Sequence, residues 1–117
     1  NTAIGDETLT ANTTGFQNVA VGANALAANT DSESNVGVGY IALYANTTGD
    51  QNTAVGARAL DANTTADNNT ACGYNSLSAN TTGTKNTAVG SLALKHYWHC
   101  KRCRRLKCYG WQPNRRF

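Results

Sequence analysis

Methionine is absent from the chain and proline occurs once, at Pro113. Aromatic residues are few, and no stretch approaches the roughly 18 consecutive apolar residues that a membrane-spanning helix needs. An ordinary globular core draws on Leu, Ile, Phe and Met at irregular spacing, and that supply is missing. The apolar residues present are mainly Ala, Val and Leu at fixed spacing, which suits a thin, regular interior. No signal-peptide pattern is found, and a start at Asn1 rather than Met is expected of a processed product or a piece of a longer chain. No Ser/His/Asp arrangement, phosphate-cradling loop or carboxylate pair stands out, and both histidines lie near the C-terminus, so the chain reads as a non-enzyme.

Basic side chains are nearly missing from residues 1–94, where Arg58 and Lys85 face all seven acids, a net of −5 by count. Residues 95–117 carry the other eight basic side chains and no acid. Two units follow: a repeat domain over 1–94 and a basic, Cys- and aromatic-rich tail or cap over 95–117.

What the chain has in abundance is repetition. Shifted by 17 residues it matches itself: NTAIG at 1, NVAVG at 18, NVGVG at 35, NTAVG at 52, NTACG at 69 and NTAVG at 86, the first five running on to ANT and three of them to ANTTG. A period this short cannot hold a helical hairpin, which needs roughly 30 residues, but it fits one coil of a β-solenoid. The predicted fold is all-β: a parallel solenoid of six 17-residue coils.

Each column of the alignment then has a role. Asn1, Asn18, Asn35, Asn52, Asn69 and Asn86 form one unbroken column and Asn12, Asn29, Asn46, Asn63 and Asn80 another. In coils stacked about 4.8 Å apart, identical amides bond to the copies above and below, so both are expected to be ladders. The column Gly5, Gly22, Gly39, Gly56, Gly73 and Gly90 marks a turn with positive φ or a close backbone approach. Two apolar columns are expected as core stripes: Ile4, Val21, Val38, Val55, Cys72 and Val89, and Leu9, Leu26, Leu43, Leu60, Leu77 and Leu94. Cys72 would then be an inert buried thiol. The small column Ala11, Ala28, Ala45, Ala62 and Ala79 suggests two strands per coil pressed close together. So thin a coil buries little alone, and association of several chains, a trimer, is the expected route to stability.

The NTAVG and ANTTG motifs over residues 1–94 resemble the repeat arrays of phage tail-fibre proteins and the head-domain repeats of trimeric autotransporter adhesins. The resemblance implies a left-handed parallel β-roll that trimerises into a rod. It also implies an extracellular, cell-surface or virion location, and attachment to a surface glycan or protein receptor.

The variable columns are expected to face outward. They include Asp6, Ala23, Tyr40, Ala57, Tyr74 and Ser91, and Thr10, Ala27, Tyr44, Asp61, Ser78 and Lys95. Tyr40, Tyr44 and Tyr74 are candidates for stacking on sugars or meeting a receptor; the alternative is that they cover neighbouring coils or subunit seams. Threonine ranks at Thr13, Thr30, Thr47, Thr64 and Thr81, and at Thr14, Thr48, Thr65 and Thr82, are compatible with an ice-binding face, or with hydrogen bonding along the stack. Asn12, Asn46, Asn63, Asn68 and Asn80 lie in N-x-Thr sequons, which the repeat generates automatically, so ladder asparagine is the expected role.

The tail breaks the repeat. His96, His99, Cys100, Cys103 and Cys108 lie close together with one Cys-x2-Cys pair, a spacing compatible with zinc, although no second pair completes a familiar knuckle. Disulfides among Cys100, Cys103 and Cys108 suit an extracellular fibre, and free thiols are the third reading. Three tail cysteines cannot all pair within one chain if Cys72 is in the core, so an interchain bridge is plausible. No cofactor other than that zinc is expected. Arg102, Arg104 and Arg105 with Trp98 and Trp111 could take an anionic polymer through charge and stacking, or cap the acidic rod. The functional expectation is a structural fibre or adhesin module. The alternatives are a self-assembling filament subunit whose cationic tail docks on the next molecule, and, more distantly, an ice-binding solenoid.

Overall fold

The computed structural model describes residues 1–95. Six three-residue strands, β1 (Thr2–Ile4), β2 (Val19–Val21), β3 (Val36–Val38), β4 (Thr53–Val55), β5 (Thr70–Cys72) and β6 (Thr87–Val89), form one parallel sheet in chain order. Every pairing is offset by one repeat, as Thr2 opposite Val19 or Val38 opposite Val55. The result is a β-solenoid of about five turns with no helix among the described residues. The register repeats closely: Thr2, Val19, Val36, Thr53 and Thr70 each donate their backbone N–H to the carbonyl of the next coil's motif asparagine at 2.8 Å.

Each coil has one strand, not two. The segment running through the Ala11 column is a chain of turns, and Ala28, Ala45 and Ala62 in it are only half-buried. The coil reverses through left-handed backbone at ordinary residues. Leu9, Leu26, Leu43, Leu60, Leu77 and Leu94 all sit at φ of 50 or 51°. An L residue pays roughly 1–2 kcal/mol for that conformation. Leu26, Leu43, Leu60 and Leu77 are fully buried, and burying a leucine returns about 1.5–3 kcal/mol, so the core offsets the strain.

One apolar column proves to be the core and the other does not. Alternation in a strand turns the middle residue one way and its two neighbours the other. Here the middle residues Ala20, Gly37, Ala54, Ala71 and Ala88 point inward. They face the leucine wall closely: a Cβ built on Gly37 would lie 3.3 Å from Leu26 Cγ. Only a methyl fits there, which is why Ala rather than Val takes the inside. The column Ile4, Val21, Val38, Val55, Cys72 and Val89 therefore lies on the outer side of the sheet, with Ile4 60%, Val55 39% and Val89 73% exposed. Cys72 is exposed too, not buried, and the premise that would have confined it to the core falls away.

Both asparagine ladders are present. Asn18, Asn35, Asn52, Asn69 and Asn86 each donate their backbone N–H to the side-chain Oδ1 of the equivalent asparagine one coil before, at 2.9–3.0 Å. In the second ladder Asn63 Nδ2 donates to Asn46 Oδ1 at 2.9 Å and Asn80 Nδ2 to Asn63 Oδ1 at 3.0 Å. Buried amides are thereby satisfied without water, as a dry interior requires. The threonine rank does similar work: Thr13, Thr30, Thr47 and Thr64 donate Oγ1–H to the carbonyl one coil on, at 3.1–3.4 Å.

Candidate functional site

Two outward surfaces are candidates, and the first is the outer side of the sheet. On it the column from Ile4 to Val89 runs beside Thr2, Val19, Val36, Thr53, Thr70 and Thr87. Ile4, Val55, Cys72 and Val89 are exposed and Val21 and Val38 half-buried, and the column recurs in every coil. Solitary exposed valines are unremarkable on a protein surface, but an aligned row along a flat sheet forms one patch.

The second surface follows the strands, where coils three to five depart from the repeat. Coil three contributes Tyr40, Ile41 and Tyr44, coil four Arg58 and Asp61, and coil five Tyr74. Backbone bonds fix their stacking: Arg58 N–H donates to the Tyr40 carbonyl at 2.9 Å and Asn75 N–H to the Ala57 carbonyl at 3.0 Å. Tyr40, Ala57 and Tyr74 thus succeed one another in one column, leaving a methyl between two rings. Tyr40, Tyr44 and Tyr74 are 54%, 46% and 52% exposed, so within one chain they do not serve mainly to cover neighbouring coils. Sequence reasoning named the tyrosines as site candidates and placed Asp61 on the same variable face, but did not join Arg58 to them; its column, Glu7, Asn24, Ile41, Arg58, Asn75 and Leu92, is visibly variable.

Asp61 is half-buried and its Oδ1 is buried without a hydrogen-bond partner. Desolvation raises its pKa above the ordinary carboxylate value, opposed by its own backbone N–H, by Arg58 and by the Ala62 N–H. A carboxyl whose folded pKa is raised binds its proton more tightly in the native state. The stability this contributes is complete below the unfolded pKa and is lost as pH rises through the folded one. Asp61→Asn should therefore raise the melting temperature at pH 7 and leave it unchanged near pH 3, measured by thermal unfolding at both.

Two of the remaining acids are structural. Asp50 Oδ1 accepts the Glu33 backbone N–H at 2.9 Å and Asp67 Oδ1 accepts that of Asp50 at 2.8 Å, so consecutive carboxylates tie coil to coil. Among the described residues no group of His, Cys, Asp and Glu is placed to hold a metal ion, and no helix is long and apolar enough to cross a membrane. The zinc and disulfide candidates His96, His99, Cys100, Cys103 and Cys108, and the candidate polymer contacts Trp98, Arg102, Arg104, Arg105 and Trp111, lie outside the described residues. No family model, curated protein or solved structure matches the chain.

Proposed function

We propose that this chain is a rod-like structural module of a fibre or adhesin, acting outside the cell or on a virion, whose sheet faces pack together in a trimer. The observation that carries the reading is the uncovered apolar column on the outer side of the sheet. A second copy presents the same flat, regularly spaced surface to meet it.

The area argues for three chains rather than two. Six strands about 4.8 Å apart and three residues long offer roughly 300 Å², well below the ~800 Å² per partner of a standard interface. Around a three-fold axis each chain touches two neighbours, and the columns flanking the sheet join the contact. The tyrosine-bearing coils supply the recognition surface, with rings for a glycan or protein receptor and Arg58 for its polar groups.

Light scattering after size exclusion tests this. Native protein should run as a trimer that dissociates on dilution. Val55→Glu places a charge in the middle of the stripe at a site already open to solvent, so the coil should still form while association weakens at least tenfold. A monomeric native protein, or an unaltered trimer in the variant, would sink the reading.

A further inference from the structure

The described residues contain five N-x-Thr sequons, and the fold separates them sharply. At four the asparagine belongs to a ladder. Asn46, Asn63 and Asn80 are fully buried. The nitrogen that would carry a sugar is committed in each: Asn46 Nδ2 donates to the Gly49 carbonyl at 2.8 Å, Asn63 Nδ2 to Ala66 at 2.9 Å and Asn80 Nδ2 to Gly83 at 2.9 Å. Asn12, half-buried at the first coil, donates to Gly15 at 3.1 Å while its Oδ1 accepts from Asn29 Nδ2 at 2.8 Å.

Asn68 is different. It does not belong to either ladder but to the turn column Gln17, Ser34, Gln51, Asn68 and Lys85, whose members all have φ of 57–60°. Left-handed backbone is tolerated best by asparagine among residues with a side chain. Its backbone N–H is held by the Asp50 carbonyl at 3.1 Å, and its side chain is exposed to solvent. Thr70, the third residue of its sequon, opens β5 on the outer side of the sheet and is only half-buried.

We infer that Asn68 is an N-glycan acceptor site of the folded rod, and that the four ladder sequons are closed to sugar. In the transfer, Asn68 Nδ2 forms a bond to C1 of an activated sugar. The bond from C1 to the donor's phosphate oxygen breaks, its electron pair leaving with the phosphate, and one amide proton passes to the transferase. A sugar joined through C1 to a phosphate leaving group is the class of donor required, and a nucleoside-diphosphate hexose is one such donor. Folding would be lost with a sugar on Asn46 or Asn63, because a glycosylated Nδ2 has one hydrogen instead of two and no room for the ring. On Asn68 a sugar projects into water.

The assignment does not rest on the fibre reading, but Thr70 lies on the sheet face proposed to meet other copies, so the folded protein is assayed at a dilution at which light scattering shows it monomeric. Folded protein and urea-unfolded, rapidly diluted chain are each treated with a soluble sequon-specific N-glycosyltransferase and a nucleoside-diphosphate hexose, then measured by intact mass and peptide mapping. Folded protein should gain one hexose, at Asn68, at least tenfold faster than at any ladder asparagine, whereas the unfolded chain should accept at several sequons. Asn68→Gly keeps the left-handed turn and should abolish the modification without lowering the melting temperature. Sugar on a ladder asparagine of the folded protein at a comparable rate, or none at Asn68 in either form, would overturn the inference.

Discussion

Gly56→Val should prevent the stack from closing, and it is expected to be the most damaging single substitution in the array. Gly56 has φ of 133°, a region that side chains rarely adopt. A Cβ there would lie 2.7 Å from both the carbonyl carbon and the carbonyl oxygen of Gly73 in the next coil. Neither atom can swing away as a side chain would, so the coils must separate and give up the sheet bonds on both sides. A loss beyond about 4 kcal/mol is expected, placing the variant among the exceptional substitutions. Gly37→Ala makes the contrast. Gly37 occupies the middle of β3 where the other strands carry alanine, and its added methyl would meet Leu26 and the Ala42 carbonyl at 3.3 Å, the space that Ala20 and Ala54 already fill in their own coils. That variant should be neutral or gain up to about 1 kcal/mol from a less flexible unfolded chain. Arg58→Ala, on the exposed face, should stay within about 0.5 kcal/mol. Urea unfolding of the three variants in parallel decides the matter, and equal midpoints for Gly56→Val and Arg58→Ala would show that the glycine column is not a backbone contact.

The column that Gly56 belongs to was readable from the sequence because a backbone approach leaves only one residue type acceptable, so all six copies agree. The leucine stripe and the asparagine ladders were legible for the same reason. The valine column misled because it is equally regular. Its regularity reflects strand preference and an outward stripe, and apolarity alone gives no sign of direction. The deciding signal was the alanine between Thr53 and Val55, since strand alternation with a methyl-sized gap in front of Leu26 forces the small residue inside. Left-handed leucine could not have been foreseen, because propensity assigns that conformation to glycine or asparagine, whereas the coil's turn geometry imposes it at exposed Gln17 and Arg58 as well as at the buried leucines. Of the candidate site, the tyrosines were legible as departures from the repeat. The isolation of Asn68 was open to reading too, since its triplet is Asn-Asn-Thr rather than Asn-Thr-Thr and falls in the column of Gln17, Ser34, Gln51 and Lys85; only its exposure needed the structure.

Asn52 offers the second large effect, and one whose pH dependence identifies its cause. Its side chain is fully buried and joins three coils: Oδ1 accepts the Asn69 backbone N–H at 3.0 Å, Nδ2 donates to the Ala66 carbonyl at 2.8 Å, and its own backbone N–H reaches Asn35 Oδ1 at 2.9 Å. Asn52→Leu would leave the buried Asn69 N–H unpaired and remove one of two bonds at the Ala66 carbonyl, which keeps its bond from Asn63 Nδ2 at 2.9 Å, so a loss of roughly 1–3 kcal/mol is expected from the orphaned donor. Asn52→Asp separates shape from bonding. The ionised carboxylate can still accept from Asn69 but repels the Ala66 carbonyl, and its burial penalises the charge. Protonated, it recovers a donor for Ala66 and loses the charge. Its folded pKa should thus lie above the unfolded value, so the N52D protein should be most stable below about pH 4, weakening as pH rises through that folded pKa. Thermal unfolding between pH 3 and 8 should show N52D approaching the native protein at the acid end and N52L destabilised throughout. Parallel curves for N52D and N52L across that range would mean the ladder's hydrogen bonds do not hold the coils together.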